Sequence, residues 1–219
     1  MDYGAKYIRW APFAAESPQK MGKLPSYGPA ITLGALNKAT DTPAFNEAKG
    51  YGDNVLKVYV NKFKETVIAI ETTEVPRDSM SAVSGTTLES ETKKNMRFRS
   101  TDKTPYGGLG FFVSKILDDG RDVCMGIFYP KVKAMLQGAT YNTDGENITL
   151  STSKLQFTGS ACDSGDWKIE SDFFETEEEA QAWVDGMFDG TSTDIGNEAG
   201  GEIQGQSATA RAAGKAATV

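Results

Sequence analysis

The feature that most constrains the fold is a period-two alternation beginning at Val55. Val55, Lys57, Tyr59, Asn61 and Phe63 alternate with Leu56, Val58, Val60 and Lys62, and Thr66-Val67-Ile68-Ala69-Ile70-Glu71-Thr72 follows after Lys64-Glu65. β-Branched and aromatic residues at this spacing suit a pleated surface, so two paired strands are predicted, 55–63 and 66–72. Residues 108–116 and 122–129 flank Asp118-Asp119-Gly120, whose residues tolerate the positive φ of a tight turn, and form a predicted hairpin. Further strands are expected at 6–10, 31–36, 89–100, 132–140, 148–153, 155–161 and 167–174. Many short antiparallel strands at regular spacing predict a mainly β chain, a sandwich or barrel.

Two helices interrupt this pattern. Pro76 opens 77–84, with Met80 and Val83 on one face and Gly85 as its stop. Thr176 and Glu179 make a capping box for 176–188, where Ala180, Trp183, Val184 and Met187 recur at helical spacing. Residues 1–30 hold four of the eight prolines and are expected to form an extended arm carrying one short strand. Residues 37–53, polar and containing Pro43, Gly50 and Gly52, are expected to form a long loop within a domain spanning 31–189. Residues 190–219 are Gly, Ala, Ser and Thr with almost no large apolar side chain, and are expected not to order themselves.

Composition removes several kinds of chemistry. The chain has no histidine, so a Ser-His-Asp or Cys-His nucleophile system and a His-ligated zinc site cannot be built. Cys124 and Cys162 are too few and too far apart for a metal knuckle or a disulfide framework, and are expected as buried free thiols in a reducing cytoplasm. The first residues lack a basic region followed by an apolar run, and no stretch of about 18 apolar residues occurs, so no membrane partner is expected.

The candidate motifs each have a structural explanation. Tyr106-Gly107-Gly108-Leu109-Gly110 precedes a strand rather than a helix and lacks the Gly-Lys-Ser/Thr of a phosphate loop, so close backbone approach or a bulge is expected there. The basic run Lys93-Lys94-Asn95-Met96-Arg97-Phe98-Arg99 fits a half-buried strand with one polar face, or a contact to an acidic neighbour. Asp118-Asp119 make a turn and Glu177 to Glu179 a helix start, while Asp144-Gly145-Glu146 lacks the further oxygens of a calcium loop. No catalytic residue, metal or cofactor is expected, although two carboxylates meeting in space could still serve a glycosidase.

In the order of its elements the chain resembles the major tail protein, or tail tube protein, of long-tailed bacteriophages of Gram-positive bacteria. The resemblance runs from about residue 3 to 188. Its early stretches are Lys6-Tyr7 with Trp10-Ala11-Pro12, then Phe45-Asn46-Glu47-Ala48 with Tyr51 and Asp53, then Phe63 and the short helix ending at Gly85. It continues in Pro105-Tyr106 with Gly107 and Gly110, Phe128-Tyr129 with Lys131-Val132, and Gly145-Glu146-Asn147-Ile148 leading to Thr152, Leu155 and Gly159. It closes with Trp167-Lys168, Phe173-Phe174 and Ala182-Trp183.

The resemblance implies a β-sandwich of the tail tube type, in hexameric rings stacked into a tube that conducts the genome into the host. The implied place is the virion tail, assembled in the host cytoplasm. The implied partners are copies of itself and, at the tube ends, the tape measure, terminator and distal tail proteins. DNA would pass without tight binding, past a lumen face expected to be neutral to acidic. Tyr7, Trp10, Phe13, Phe45, Tyr51, Arg97 and Arg99 are the candidate subunit contacts. Residues 1–12 are expected to bridge subunits and to add little to the domain's own core. A different reading, a monomeric β-sandwich carbohydrate-binding module, would use Tyr59, Tyr106 or Trp167 as an aromatic platform.

The net charge of −7 is uneven. Residues 163–189 carry ten acidic side chains against one basic, whereas residues 1–162 carry 17 against 20. An exposed acidic flank is therefore expected on the last strand and helix, beside a nearly balanced β core.

Overall fold

The computed structural model describes residues 1–14, 23–89, 95–138 and 152–189. The expected strand at 148–153, the turn at 142–145 and the tail at 190–219 lie wholly or mostly outside these residues. Among the described residues ten strands and two helices follow in the order β1 (Asp2–Pro12), β2 (Ile31–Thr32), β3 (Leu36–Gly52), β4 (Val55–Thr72), α1 (Arg77–Ser84), β5 (Thr87–Leu88), β6 (Met96–Arg97), β7 (Tyr106–Ile116), β8 (Asp122–Met135), β9 (Ser153–Gly159), β10 (Ile169–Phe174) and α2 (Glu177–Asp189). The fold is mainly β and antiparallel, as the alternation predicts. The main sheet runs β2-β1-β7-β8-β9-β4-β3, with β10 also paired to β8; β5 and β6 form a separate small ribbon.

Strand β8 is the spine of this arrangement. One of its edges pairs with β7 along most of its length, while the other is shared by β10, opposite Cys124 to Phe128, and β9, opposite Val132 to Met135. Pro130 falls between the two, where its missing N–H leaves no ladder bond unmade. The strand therefore continues through a position where the sequence predicts a break between 122–129 and 132–140.

The sheet folds over a core that draws Ile8 and Trp10 from β1, Leu109 and Phe111 from β7, Met125, Ile127 and Tyr129 from β8, and Ile68, Ile70, Leu155 and Phe157 from β4 and β9. Val83 of α1 joins this core. Opposite faces of β7 and β8 meet α2 instead, through Phe112, Cys124 and Phe128 against Ala180, Trp183, Val184, Met187 and Phe188. Both faces of β7 are thus buried, which is why its sequence is a near-continuous apolar run. Gly110 and Gly126 make room for the helix: a Cβ on Gly126 would stand 2.2 Å from the Trp183 ring, and one on Gly110 2.9 Å from Val184.

Both helices match the sequence closely. α1 ends on Gly85 in the left-handed conformation at φ 71°. At the start of α2 the Glu179 N–H donates to the Thr176 hydroxyl at 3.3 Å, so Thr176 is the cap. Cys124 and Cys162 are free and buried.

Three expectations are corrected. Residues 37–53 are not a loop: β3 pairs with β4 from Leu36 opposite Thr72 to Gly52 opposite Val55. β3 is an edge strand, so Pro43 costs no ladder bond, and Asp53 and Asn54, at φ 52° and 61°, make the tight turn. Residues 55–63 and 66–72 are not two paired strands but one strand, continuous through Lys64-Glu65. Finally, the short strand expected at 6–10 spans Asp2–Pro12 and pairs with β7, with Ile8 and Ala11 at 0% exposure. Residues 1–12 thus give Ile8, Trp10 and Ala11 to the domain's core.

Candidate functional site

Past Thr66, β4 loses its partner β9, which pairs only with Thr66 to Thr72. From Phe45 to Phe63 the β3–β4 hairpin therefore leaves the sheet as a two-stranded ribbon. At about 3.3 Å per residue it reaches on the order of 25 Å. A β-bulge between Ala44 and Phe45 marks the point of departure, and a second lies near the tip, between Gly50 and Tyr51.

The two faces of the ribbon differ chemically. The cross-strand pairs Phe45–Phe63, Glu47–Asn61 and Lys49–Tyr59 share one face. That face satisfies itself: the Lys49 ammonium lies 5.6 Å from the Tyr59 ring centre and 3.5 Å from a Glu47 carboxylate oxygen. The hydrogen bond to Glu47 raises the Tyr59 phenol above its ordinary range, with a smaller contribution from partial burial. The other face carries Asn46–Lys62, Ala48–Val60 and Gly50–Val58, so beyond Lys62 it is bare of charge. Val58 is 56% exposed and Val60 39%, and Tyr51, Val55 and Leu56 are exposed around the tip.

The ribbon unites only two of the candidate contacts, Phe45 and Tyr51. Tyr7, at φ 59° in a bulge of β1, is half-buried, and its hydroxyl donates to Asp185 of α2 at 2.7 Å. Trp10 is 1% exposed, with its indole against Gly107, so it is a core residue and not a surface contact. Phe13 packs against Tyr27 and stacks on Tyr106 at 6.1 Å. Arg97 and Arg99 are exposed on the small ribbon side, where Arg97 pairs with Glu89 and the Arg99 N–H donates to Asp102 at 2.7 Å. The aromatic residues of the carbohydrate-module reading do not all lie open. Trp167 has a ring face covered by Phe63 at 4.5 Å, and Tyr106 has one stacked on Phe13.

Sequence reasoning missed Val55, Leu56, Val58 and Val60 as surface residues, because alternation alone does not distinguish a half-buried strand from a projecting one. The adjoining Asp53-Asn54 turn was the signal available.

The acidic flank lies on β10, α2 and the turns beside them. Glu170, Asp172, Glu175, Glu178, Glu179 and Asp189 are exposed there, while Glu177 and Asp185 pair with Lys6 at 2.6 Å and Arg9 at 3.4 Å. Among the described residues no group of three or more Cys, Asp or Glu side chains could hold a metal ion, and no helix is long and apolar enough to cross a membrane. The class defined by fold and surface is an antiparallel, two-helix β domain with a projecting apolar ribbon. No family model matches the sequence, and no curated protein matches it.

Proposed function

We propose that the chain is a structural subunit of a long-tailed phage tail tube, joining itself into stacked hexameric rings and working without catalysis. The observation that carries this reading is the ribbon from Phe45 to Phe63 with its uncovered apolar face. An isolated two-stranded ribbon is marginal in water, and contiguous exposed apolar surface is characteristic of contact sites. A second copy covering it in a head-to-tail manner closes rings in one direction and leaves an open filament in the other.

The resemblance of the sequence to tail tube proteins points to the same reading. So do the open edges of the sheet at β2 and β3, which a neighbouring chain can extend. In this reading the virion tail is the place of action, other tail proteins meet the tube ends, and DNA passes through a bore that is neutral to acidic. Negative-stain microscopy of the purified full chain tests it. Rings or tubes of uniform diameter are expected; small monomeric particles at every concentration would contradict it and favour the binding-module reading. A ring of Lys or Arg lining the bore would contradict the electrostatic part alone.

A further inference from the structure

We propose that Trp167 and Lys168 are positioning residues that brace the root of the ribbon and fix the angle at which it leaves the sheet. The segment before β10 lies about a hundred residues further along the chain than β3 and β4. Yet it meets them where ladder support ends. The Trp167 ring stacks on Phe63 with centroids 4.5 Å apart and planes 13° from parallel. Phe63 in turn meets Phe45 edge-on at 6.0 Å, so the first cross-strand pair beyond the body is clamped by a third aromatic ring. One residue later, the Lys168 ammonium lies 3.3 Å from Asp41 of β3 and 2.8 Å from Glu170 of β10, over the ring of Tyr129 at 5.9 Å. The Lys168 and Asp41 side chains are only 20% and 33% exposed, so this pair is less screened than a surface ion pair.

The geometry explains why a brace belongs at this position. The bulge between Ala44 and Phe45 interrupts the ladder at the level where β9 stops, leaving the ribbon a natural hinge. A ribbon free to swing would lose conformational freedom on docking and bind more weakly; one already held in place would not. The consequence for assembly rests on the tail tube reading, whereas the brace itself does not.

Amide hydrogen exchange of the full chain, held dilute and unassembled, tests the brace directly. Trp167→Ala should raise exchange in residues 45–63 roughly tenfold, while residues 66–72 and 153–159 keep wild-type rates. Trp167→Phe should restore most of the protection, and Lys168→Met should raise exchange in the same direction. Phe63→Ala should reproduce the Trp167→Ala pattern, and the double variant should add little to either. Unchanged exchange in the ribbon, or an equal rise in residues 153–159, would overturn the proposal. Tube growth is the second readout: it should slow in Trp167→Ala and recover in Trp167→Phe, and wild-type growth in Trp167→Ala would overturn the link to assembly. Failure of the wild-type chain to assemble would instead sink the tail tube reading and leave the exchange result standing.

Discussion

Gly126 lies under the Trp183 ring, and no side chain fits there: a Cβ would stand 2.2 Å from the indole. Gly126→Ala should cost about 3 kcal/mol by overpacking, read as a drop in the urea midpoint. Trp183→Ala removes the other partner of the same contact and should cost about 3–5 kcal/mol. Burial raises the phenols of Tyr27 and Tyr129 well above their ordinary 10.0, with Asp41 adding to the effect at Tyr129. Lys168 is also raised: burial lowers it, but Glu170 and Asp41 together outweigh that. All three groups favour the protonated form when folded, so their stabilisation is complete below about pH 10 and is lost above it, where the unfolded chain releases protons first. Urea midpoints should be level between pH 8 and 9.5 and fall by pH 11, with a smaller fall in Tyr129→Phe. At this scale much was legible. The glycines of residues 107–110 were expected where backbone approaches closely, and a Cβ on Gly107 would meet the Ala11 carbonyl at 2.3 Å. Trp10 was not legible as core, because four early prolines disguise a strand that pairs with β7 almost a hundred residues away.

Among the elements, α1 and α2 were legible because helix ends carry local chemistry: Gly85 stops one and Thr176 caps the other. The β7–β8 hairpin was legible through its turn. β3 was not, since its inner face in the body is lined by few apolar residues and its projecting part is exposed on both faces, and its Pro43, Gly50 and Gly52 resemble loop residues. The division of β4 at Lys64-Glu65 and of β8 at Pro130 failed for a related reason: polar residues or proline interrupt a strand's pattern without interrupting its path. The recovered length of β1 reverses one expectation about truncation. Deleting residues 1–12 removes Ile8, Trp10 and Ala11 from the interior and uncovers the β7 edge, so the remainder should lose its cooperative unfolding transition by circular dichroism. A deletion that leaves the transition near the wild-type midpoint would show that β1 is dispensable to the core.

Across the whole molecule, the run of acidic residues at 163–189 was legible as an exposed flank on the last strand and helix, but not which side of the sheet carries each of them. The acidic residues of 163–189 lie on the turn before β10, on β10 and on and just before α2, and Glu170 stands on the same side of the sheet as Ile127 of the core. Sheet order was not legible either, because β1 beside β7 and β4 beside β9 are long-range choices that no local pattern encodes. What the order produces is a well-packed body with one apolar element left outside it, and the proposal of self-assembly follows from that contrast. The most direct test is sedimentation of the full chain beside a variant in which residues 46–62 are replaced by an Asn-Gly turn. The ribbon buries little of itself against the body, so the variant should keep a cooperative unfolding transition near the wild-type midpoint. The full chain should sediment as rings and longer tubes, and the trimmed chain as a folded monomer. Both chains sedimenting as monomers, or both forming the same large species, would contradict the claim that this ribbon joins one subunit to the next.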